Sequence, residues 1–363
     1  MVVLPFVLAA LALVAPDHGA TVPTLREGSE RYFALPRSER LKRWGDGAFR
    51  AELAKVGSAQ RPLRLAWTGV TNGVFRLTVT AEGDEPRVFA LTNRCSAYLV
   101  NLKLFRRYRW RVEAVDVPGE FAESEFTTAS YAPRALYADG VGNFRDLGGW
   151  SAMDGARVRE GMILRSAGLR DSSRNVGHSM LMPKYEMGEW RITPAGVATL
   201  REEFGVKTDL ELRTRQECVG MRDSALGKDI RWVHIPFAAY DLIDSLSRGK
   251  EPFARIFELF LDRANYPVLF HCSGGRDRTG TLAFLLNALL GVAEEDLCRD
   301  WEFSAFCDPS TNFEPSRLQR LLDYLHRLPG GCLREQVESY ARGCGITDAQ
   351  LAEFRAIMLE KPQ

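Results

Sequence analysis

VLFHCSGGRDRTGTLAFLLNALL, residues 268–290, changes character twice. Val268 to Phe270 make an apolar run of strand length that ends at His271 and Cys272. A short polar loop with two adjacent glycines, Gly274 and Gly275, follows, and from near Thr279 the residues are apolar on every side of a helix. A strand without polar alternation is buried on both faces, and a helix without a polar stripe is buried all round. The pair therefore predicts an α/β architecture, a mostly parallel sheet with helices on both faces.

The loop between them predicts an anion site. Cys272 and Arg278 stand in a C-x5-R spacing. A loop wrapped ahead of a helix N-terminus aims several backbone N–H groups at one centre, where the helix dipole also favours negative charge. Within Ser273-Gly274-Gly275-Arg276, the two glycines supply the tight curvature and left-handed torsions that such a cradle needs. A thiol at its floor, Cys272, is favoured as the thiolate and so as a nucleophile near neutral pH. Arg278 offers planar paired donors matched to two phosphoryl oxygens, which Lys could not reproduce. Such a phosphate trap calls for no metal and no cofactor.

Outward from this loop, strand and helix patterns alternate. Thr193-Pro194 starts a helix, AGVATLREEFG carries it to Gly205, VKTDLELR and RWVHIPF read as strands, and FARIFELFLDRA is amphipathic. Residues 171–190, DSSRNVGHSMLMPKYEMGEW, read as an insertion whose Met and aromatic side chains either line a lid or pack on the core. Before the linker YAPRALYADG the period is two: LRLAWT, VFRLTVTA, RVFALT, AYLVNL, YRWRVEAV and SEFTT are short strands separated by turn signals, which predicts a β-sandwich. Residues 21–57 are rich in charge, with RSERLKRW and AELAK as short helical pieces, and carry no functional motif. Residues 2–15, VVLPFVLAALALVA, are shorter than the roughly 20 residues of a membrane span and suit the apolar region of an export leader, with a retained anchor as the alternative. The organisation expected is a leader or anchor over 1–20, a charged segment over 21–57, an all-β domain over 58–130 and an α/β catalytic domain over 131–363.

Two resemblances refine this. NLKLFRRYRWRVEA places Leu102 and Tyr108 as in the penultimate strand of a fibronectin type III domain, whose Tyr bonds backbone through its hydroxyl, and Trp67 falls where that family keeps its core Trp. HCSGGRDRTG resembles the HCxxGKDRTG signature of the bacterial tyrosine and phosphoinositide phosphatases, in the protein tyrosine phosphatase superfamily. GNFRDLGG (142–149), ILRSAGL (163–169) and GVKTDLELRTRQE (205–217) match further blocks of that family in order.

The resemblance implies that Cys272 forms a cysteinyl-phosphate, that Arg278 binds the phosphoryl group and stabilises the transition state, that Thr279 bonds the thiolate, and that His271 orients the loop. It implies a general acid at Asp277, within the loop; the alternative is Asp241 or Asp244, where the wider superfamily carries an acid on a mobile loop. Arg276 stands where the family has Lys, a second cation suited to substrates with more than one phosphate. Arg145 and Asp146 are expected to brace the loop or the domain start through an ion pair, and Arg213 with Glu217, four apart, to form a structural salt bridge.

Forty-eight Lys and Arg against 47 Asp and Glu leave a charge of +1, so no global positive field exists to hold nucleic acid, and anion recognition has to be local. Seven cysteines with no CxxC pair exclude a disulfide scaffold and argue against structural zinc, although Cys298, Cys307, Cys332 and Cys344 could pair in an oxidising compartment. The expected function is an exported phosphatase for phosphate monoesters, on phosphotyrosine and also phosphoserine or phosphothreonine. A phosphoinositide or inositol phosphate phosphatase and an inactive phosphate-binding module are the alternatives. Its partners would be a phosphorylated protein or phosphoinositide substrate and a docking partner for the sandwich.

Overall fold

The computed structural model describes residues 14, 21–43, 46, 48–49, 61–69, 72–129, 132–170, 192–237, 249–307 and 315–361. Asp241, Asp244, the 171–190 insertion and, apart from Val14, the apolar leader lie outside the described residues. No helix of the described residues is long and apolar enough to cross a membrane. The chain divides into two units, residues 1–24 with 61–131 and residues 25–60 with 132–363. The charged segment 21–57 is therefore shared between them.

The first unit holds β1 (Thr21–Val22), β2 (Leu63–Ala66), β3 (Val74–Ala81), β4 (Arg87–Thr92), β5 (Ser96–Leu99), β6 (Arg107–Ala114) and β7 (Phe121–Thr128). One sheet runs β1-β7-β6-β3-β4 and a second pairs β2 with β5. The period of two is visible in β6, where Tyr108, Trp110 and Val112 are buried and Arg107, Arg109 and Arg111 are exposed. The buried side chains join Leu65, Trp67, Phe75, Leu77 and Phe126 in one core. The Tyr108 hydroxyl accepts the Lys103 N–H at 2.8 Å, fastening the turn that leads into β6. Each of the six stretches read as strands contains one, and β1, parallel to β7, is an addition.

The second unit opens with two short helices, α1 (Glu27–Phe33) and α2 (Arg37–Arg43). After the first unit it continues with β8 (Arg145–Asp146), β9 (Arg157–Val158), β10 (Ile163–Ser166), α3 (Pro194–Ala198), β11 (Thr208–Glu211), β12 (Arg231–His234), α4 (Lys250–Leu261), β13 (Val268–His271), α5 (Asp277–Leu289), α6 (Glu294–Cys307), α7 (Pro315–Leu325), α8 (Leu333–Gly343), α9 (Asp348–Met358) and β14 (Leu359–Glu360). The main sheet is ordered β12-β11-β13-β10-β8. Its strands are parallel except β8, an antiparallel edge beside β10.

Helices cover both faces of this sheet. Leu164 and Leu269, level on neighbouring strands, pack with Leu200 from the π-helical turn Thr199–Glu203 that continues α3. On the opposite face Phe270 meets Phe260 of α4, with ring centroids 6.5 Å apart. Phe253, Ile256, Phe257 and Phe260 form the buried stripe of α4 at helical spacing. All side chains from Arg278 to Leu289 in α5 are buried, which explains why that sequence lacks a polar stripe. Thr193 caps α3 by accepting the Gly196 N–H at 3.2 Å.

Helix α5 begins at Asp277, ahead of the start read from sequence at Thr279, so Asp277 and Arg278 belong to its first turn. Among the described residues Cys95, Cys218, Cys272, Cys298, Cys332 and Cys344 are free. The pairing considered for Cys298, Cys332 and Cys344 is therefore not formed among them, and the Cys307 side chain lies outside the described set.

Candidate active site

Strand β13 lies between β10 and β11, so Cys272 leaves the carboxyl end of the central strand, where open α/β sheets place their sites. The loop that follows is pinned by its carbonyls. Ser273 O accepts the Gly168 N–H at 2.9 Å, Gly274 O accepts Asn143 Nδ2 at 3.0 Å, and Gly275 O accepts Arg165 Nη2 at 2.9 Å. In a trans peptide the C=O and the next N–H point opposite ways. The N–H groups of Gly274, Gly275 and Arg276 are thus turned away from the scaffold, and they donate to no other described residue. Amides so turned, ahead of the N-terminus of α5, suit an anion.

The two glycines are not equivalent. Gly275 has φ +65°, and a Cβ there would lie 2.5 Å from Ser166 O, so only glycine fits. A Cβ on Gly274 would meet nothing within 4 Å. The curvature attributed to both glycines is carried by Gly275.

Arg278 is buried and held as a fork. Its Nη1 donates to Glu217 Oε2 at 2.6 Å, and its Nη2 donates to Glu217 Oε1 at 2.8 Å and to Ser273 Oγ at 3.1 Å. Ser273 Oγ also donates to Glu217 Oε1 at 2.8 Å, and the Thr214 N–H and hydroxyl both reach Glu217 Oε2 at 2.8 Å. Burial alone would raise the Glu217 carboxyl. The hydrogen bonds and charge of Arg278, with the Thr214 donors, outweigh it and hold the group well below the usual carboxylate range.

Glu217 therefore does not pair with Arg213 as its spacing suggested. Residues 215–220 form turns rather than a helix, so positions four apart do not share a face. Arg213 instead grips Glu211, through Nε to Oε1 at 2.9 Å and Nη2 to Oε2 at 2.7 Å.

Next to Cys272 in the chain, His271 Nε2 lies 2.8 Å from Asp209 Oδ1, and its Nδ1 lies 3.7 Å from Glu211 Oε2. Burial opposes the imidazolium here, but the charges of Glu211 and Asp209 and the hydrogen bond to Asp209 prevail and raise its pKa. Ser224 Oγ donates to the other Asp209 oxygen at 2.6 Å, so the carboxylate that orients His271 is itself fixed. Burial, reinforced by Glu211, pushes the Cys218 thiol up to about 12, so this cysteine stays protonated near neutral pH.

At the mouth, Asp277 Oδ1 lies 3.0 Å from Arg317 Nη1 of α7, and Asp277 Oδ2 lies 3.7 Å from Arg276 Nη2. Arg276 Nη1 is buried with no hydrogen-bond partner among the described residues. The Thr279 hydroxyl is also buried without a partner, so the bond expected from it to Cys272 is not made here. Asp241 and Asp244, the alternative acids, fall outside the described residues.

Arg145 and Asp146 do not pair with each other. They are consecutive in β8, so their side chains leave opposite faces. Arg145 Nε donates to Asp300 Oδ1 at 3.0 Å and its Nη2 to Ser304 Oγ at 3.0 Å, while its Nη1 donates to Asn143, whose amide holds Gly274 O. Asp300 Oδ2 also receives Arg165 Nη1 at 2.5 Å. One carboxylate thus steadies Arg165 directly and Asn143 through Arg145. Asp146 accepts Arg134 Nη1 at 2.7 Å and the N–H groups of Gly148 at 2.8 Å and Gly161 at 2.6 Å, bracing the domain start.

Asn143, Arg165, Asp209, Glu211, Glu217, Asp300 and Arg317 were not singled out from sequence for these contacts. Most lie in the NFRDLGG, RS and DLELR blocks, whose recurrence was the available signal. Asp300 and Arg317 carry no local signal at all.

A profile described as the tyrosine phosphatase family matches residues 136–181 and 189–360, more than half of the chain. A tyrosine-protein phosphatase of Cupriavidus necator is 26% identical over 189 residues, covering 46% of this chain and 61% of that protein. A tyrosine-protein phosphatase of Nostoc commune is 29% identical over 122 residues, 28% of this chain and 41% of its own length. The chain thus spans less than two thirds of either relative. Among solved structures, the Siw14 catalytic core aligns with a TM-score of 0.31 at 14% identity, over 53% of this chain and 89% of that one.

Proposed function

The chain belongs to the tyrosine phosphatase family, and from that footing we propose that it is a cysteine-dependent phosphatase acting on phosphate monoesters, phosphotyrosine foremost and phosphoserine or phosphothreonine besides. The observation that carries this reading is the loop from buried Cys272 to buried Arg278, whose carbonyls are held by the scaffold so that the amides of Gly274, Gly275 and Arg276 turn the other way. A phosphoryl group seated there would place its oxygens on those amides and on the Arg278 guanidinium, which Glu217 holds in place.

The Cys272 sulfur attacks phosphorus as the ester P–O bond breaks, and the leaving oxygen takes a proton from a carboxylic acid. Asp277 is the acid in this reading and Asp241 the alternative. Water then attacks the cysteinyl-phosphate, giving its proton to the same carboxylate, and the P–S bond breaks to release inorganic phosphate. The amides and Arg278 stabilise charge on the equatorial oxygens in both steps. His271, whose imidazolium Asp209 and Glu211 favour, orients the start of the loop in this reading.

The test is turnover of p-nitrophenyl phosphate by the full chain in EDTA, with vanadate as inhibitor. Cys272→Ser and Arg278→Ala are expected to abolish it. Normal turnover by Cys272→Ser would overturn the reading, and phosphate binding without turnover by the wild type would make the protein a binding module.

Arg276 and Arg317, both beside Asp277, favour a second reading in which a further phosphate of an inositide sits at the rim. Relative rates on a phosphotyrosine peptide and on singly and multiply phosphorylated inositides separate the two. We further propose that the chain is exported, on the strength of the 2–15 run, and that the first unit is a fibronectin type III-like spacer or docking module, supported by the Tyr108 bond to Lys103 N–H. Cell fractionation tests the location.

A further inference from the structure

Tyr32, Phe33 and Arg40 precede the residues that the family profile matches, yet all three are buried within the second unit. An arginine with no exposed surface needs a reason. Arg40 Nε donates to Glu302 Oε2 at 2.7 Å, and its Nη1 donates to Glu295 Oε1 at 2.6 Å and Leu35 O at 2.7 Å. The Tyr32 hydroxyl donates to the same Glu302 oxygen at 2.9 Å. Phe33 stacks on Phe303 with centroids 5.8 Å apart, and Tyr32 meets Phe306 at 5.1 Å. Every one of these partners except Leu35 is on α6.

The same helix holds the phosphate loop. Asp300 takes Arg145 and Arg165, Ser304 takes Arg145, and those arginines reach Gly274 O through Asn143 and Gly275 O directly. Phe303 sits at the junction: its ring faces Phe33 and also lies 5.3 Å from the Arg145 guanidinium carbon. A close-packed interior transmits such displacements rather than absorbing them. We propose that residues 27–43 are an arm that sets the geometry of the phosphate loop through α6, with Arg40 as its positioning residue. The proposal rests on the reading of that loop as a phosphoryl site.

The test compares the full chain with Arg40→Met and with Arg40→Lys, the milder change. For Arg40→Met, KM for p-nitrophenyl phosphate and the vanadate inhibition constant should each rise about tenfold, and for Arg40→Lys about threefold. A merely structural role would lower the active fraction and Tm while leaving both constants at wild-type values. Hydrogen–deuterium exchange should quicken over residues 271–280 as well as over the arm, with β3 and β6 unchanged. Wild-type constants in the folded variants, with exchange altered only over 27–43 and 294–307, would overturn the proposal. If Arg40→Met does not fold, Arg40→Lys decides by the same criteria. A wild-type chain that neither cleaves the ester nor binds vanadate would sink the phosphatase reading instead, and the exchange comparison would still decide whether the arm governs the loop.

Discussion

Gly274 and Gly275 look interchangeable in a list of residues and differ in kind once the backbone is known. Gly275 combines a left-handed φ of +65° with a Cβ position 2.5 Å from Ser166 O, whereas Gly274 faces open space. Gly275→Ala should therefore lose about 1–3 kcal/mol in urea unfolding together with most activity, and Gly274→Ala should keep wild-type stability. His271 gives a second residue-level prediction. Its pKa is raised because Glu211 and Asp209 overcome the burial that opposes its charge. Its contribution is complete below the unfolded value of about 6.5 and fades as pH rises through the higher native value. The urea midpoint should fall as pH rises above about 6.5, and Asp209→Asn should flatten that decline. An unchanged slope in the variant would show that His271 is not the group responsible. Residue identities at the centre of the site, Cys272, Arg278 and His271, were legible because they sit in one contiguous block. Their partners were not: Glu217 reaches Arg278 across 61 positions, and no local spacing encodes that.

The elements themselves followed from periodicity. Stripes at helical spacing produced α4, unbroken apolar runs produced β13 and α5, and alternation produced β3 and β6. Where the reading slipped, tertiary structure had overridden a local signal. Helix α5 starts early because Gly275 turns the chain before Thr279 is reached, and the 215–220 turns deprived Arg213 and Glu217 of a common face. At this scale α6 ties strands β8 and β10 together, since Asp300 compensates two buried guanidinium groups at once. Asp300→Asn should cost about 3–5 kcal/mol by denaturant unfolding, the usual penalty for removing one partner of a buried ion pair. A loss below about 1 kcal/mol would mean that the pairing is dispensable.

For the whole molecule, the chain changes unit after residues 24, 60 and 131, so the second unit is assembled from two separated stretches. The charged 21–57 segment concealed this: RSERLKRW reads as the helical piece that α2 is, but nothing local in it names the unit it joins. A chain beginning at residue 132 should melt at least about 5 °C below one in which 25–60 is joined directly to 132, given roughly 2–4 °C per kcal/mol for a unit of this size. Equal melting temperatures by calorimetry would show that the second unit is complete without its first stretch. The 262 positions between Arg40 and Glu302 also have a meaning during biosynthesis. At about 5–20 residues per second, the ribosome needs roughly 13–50 s to supply the second partner after the first has emerged. Through that interval Tyr32 and Phe33 have no finished surface to cover them, while β2 to β7 can already condense, so the earliest part of the second unit to be made is among the last to find its place.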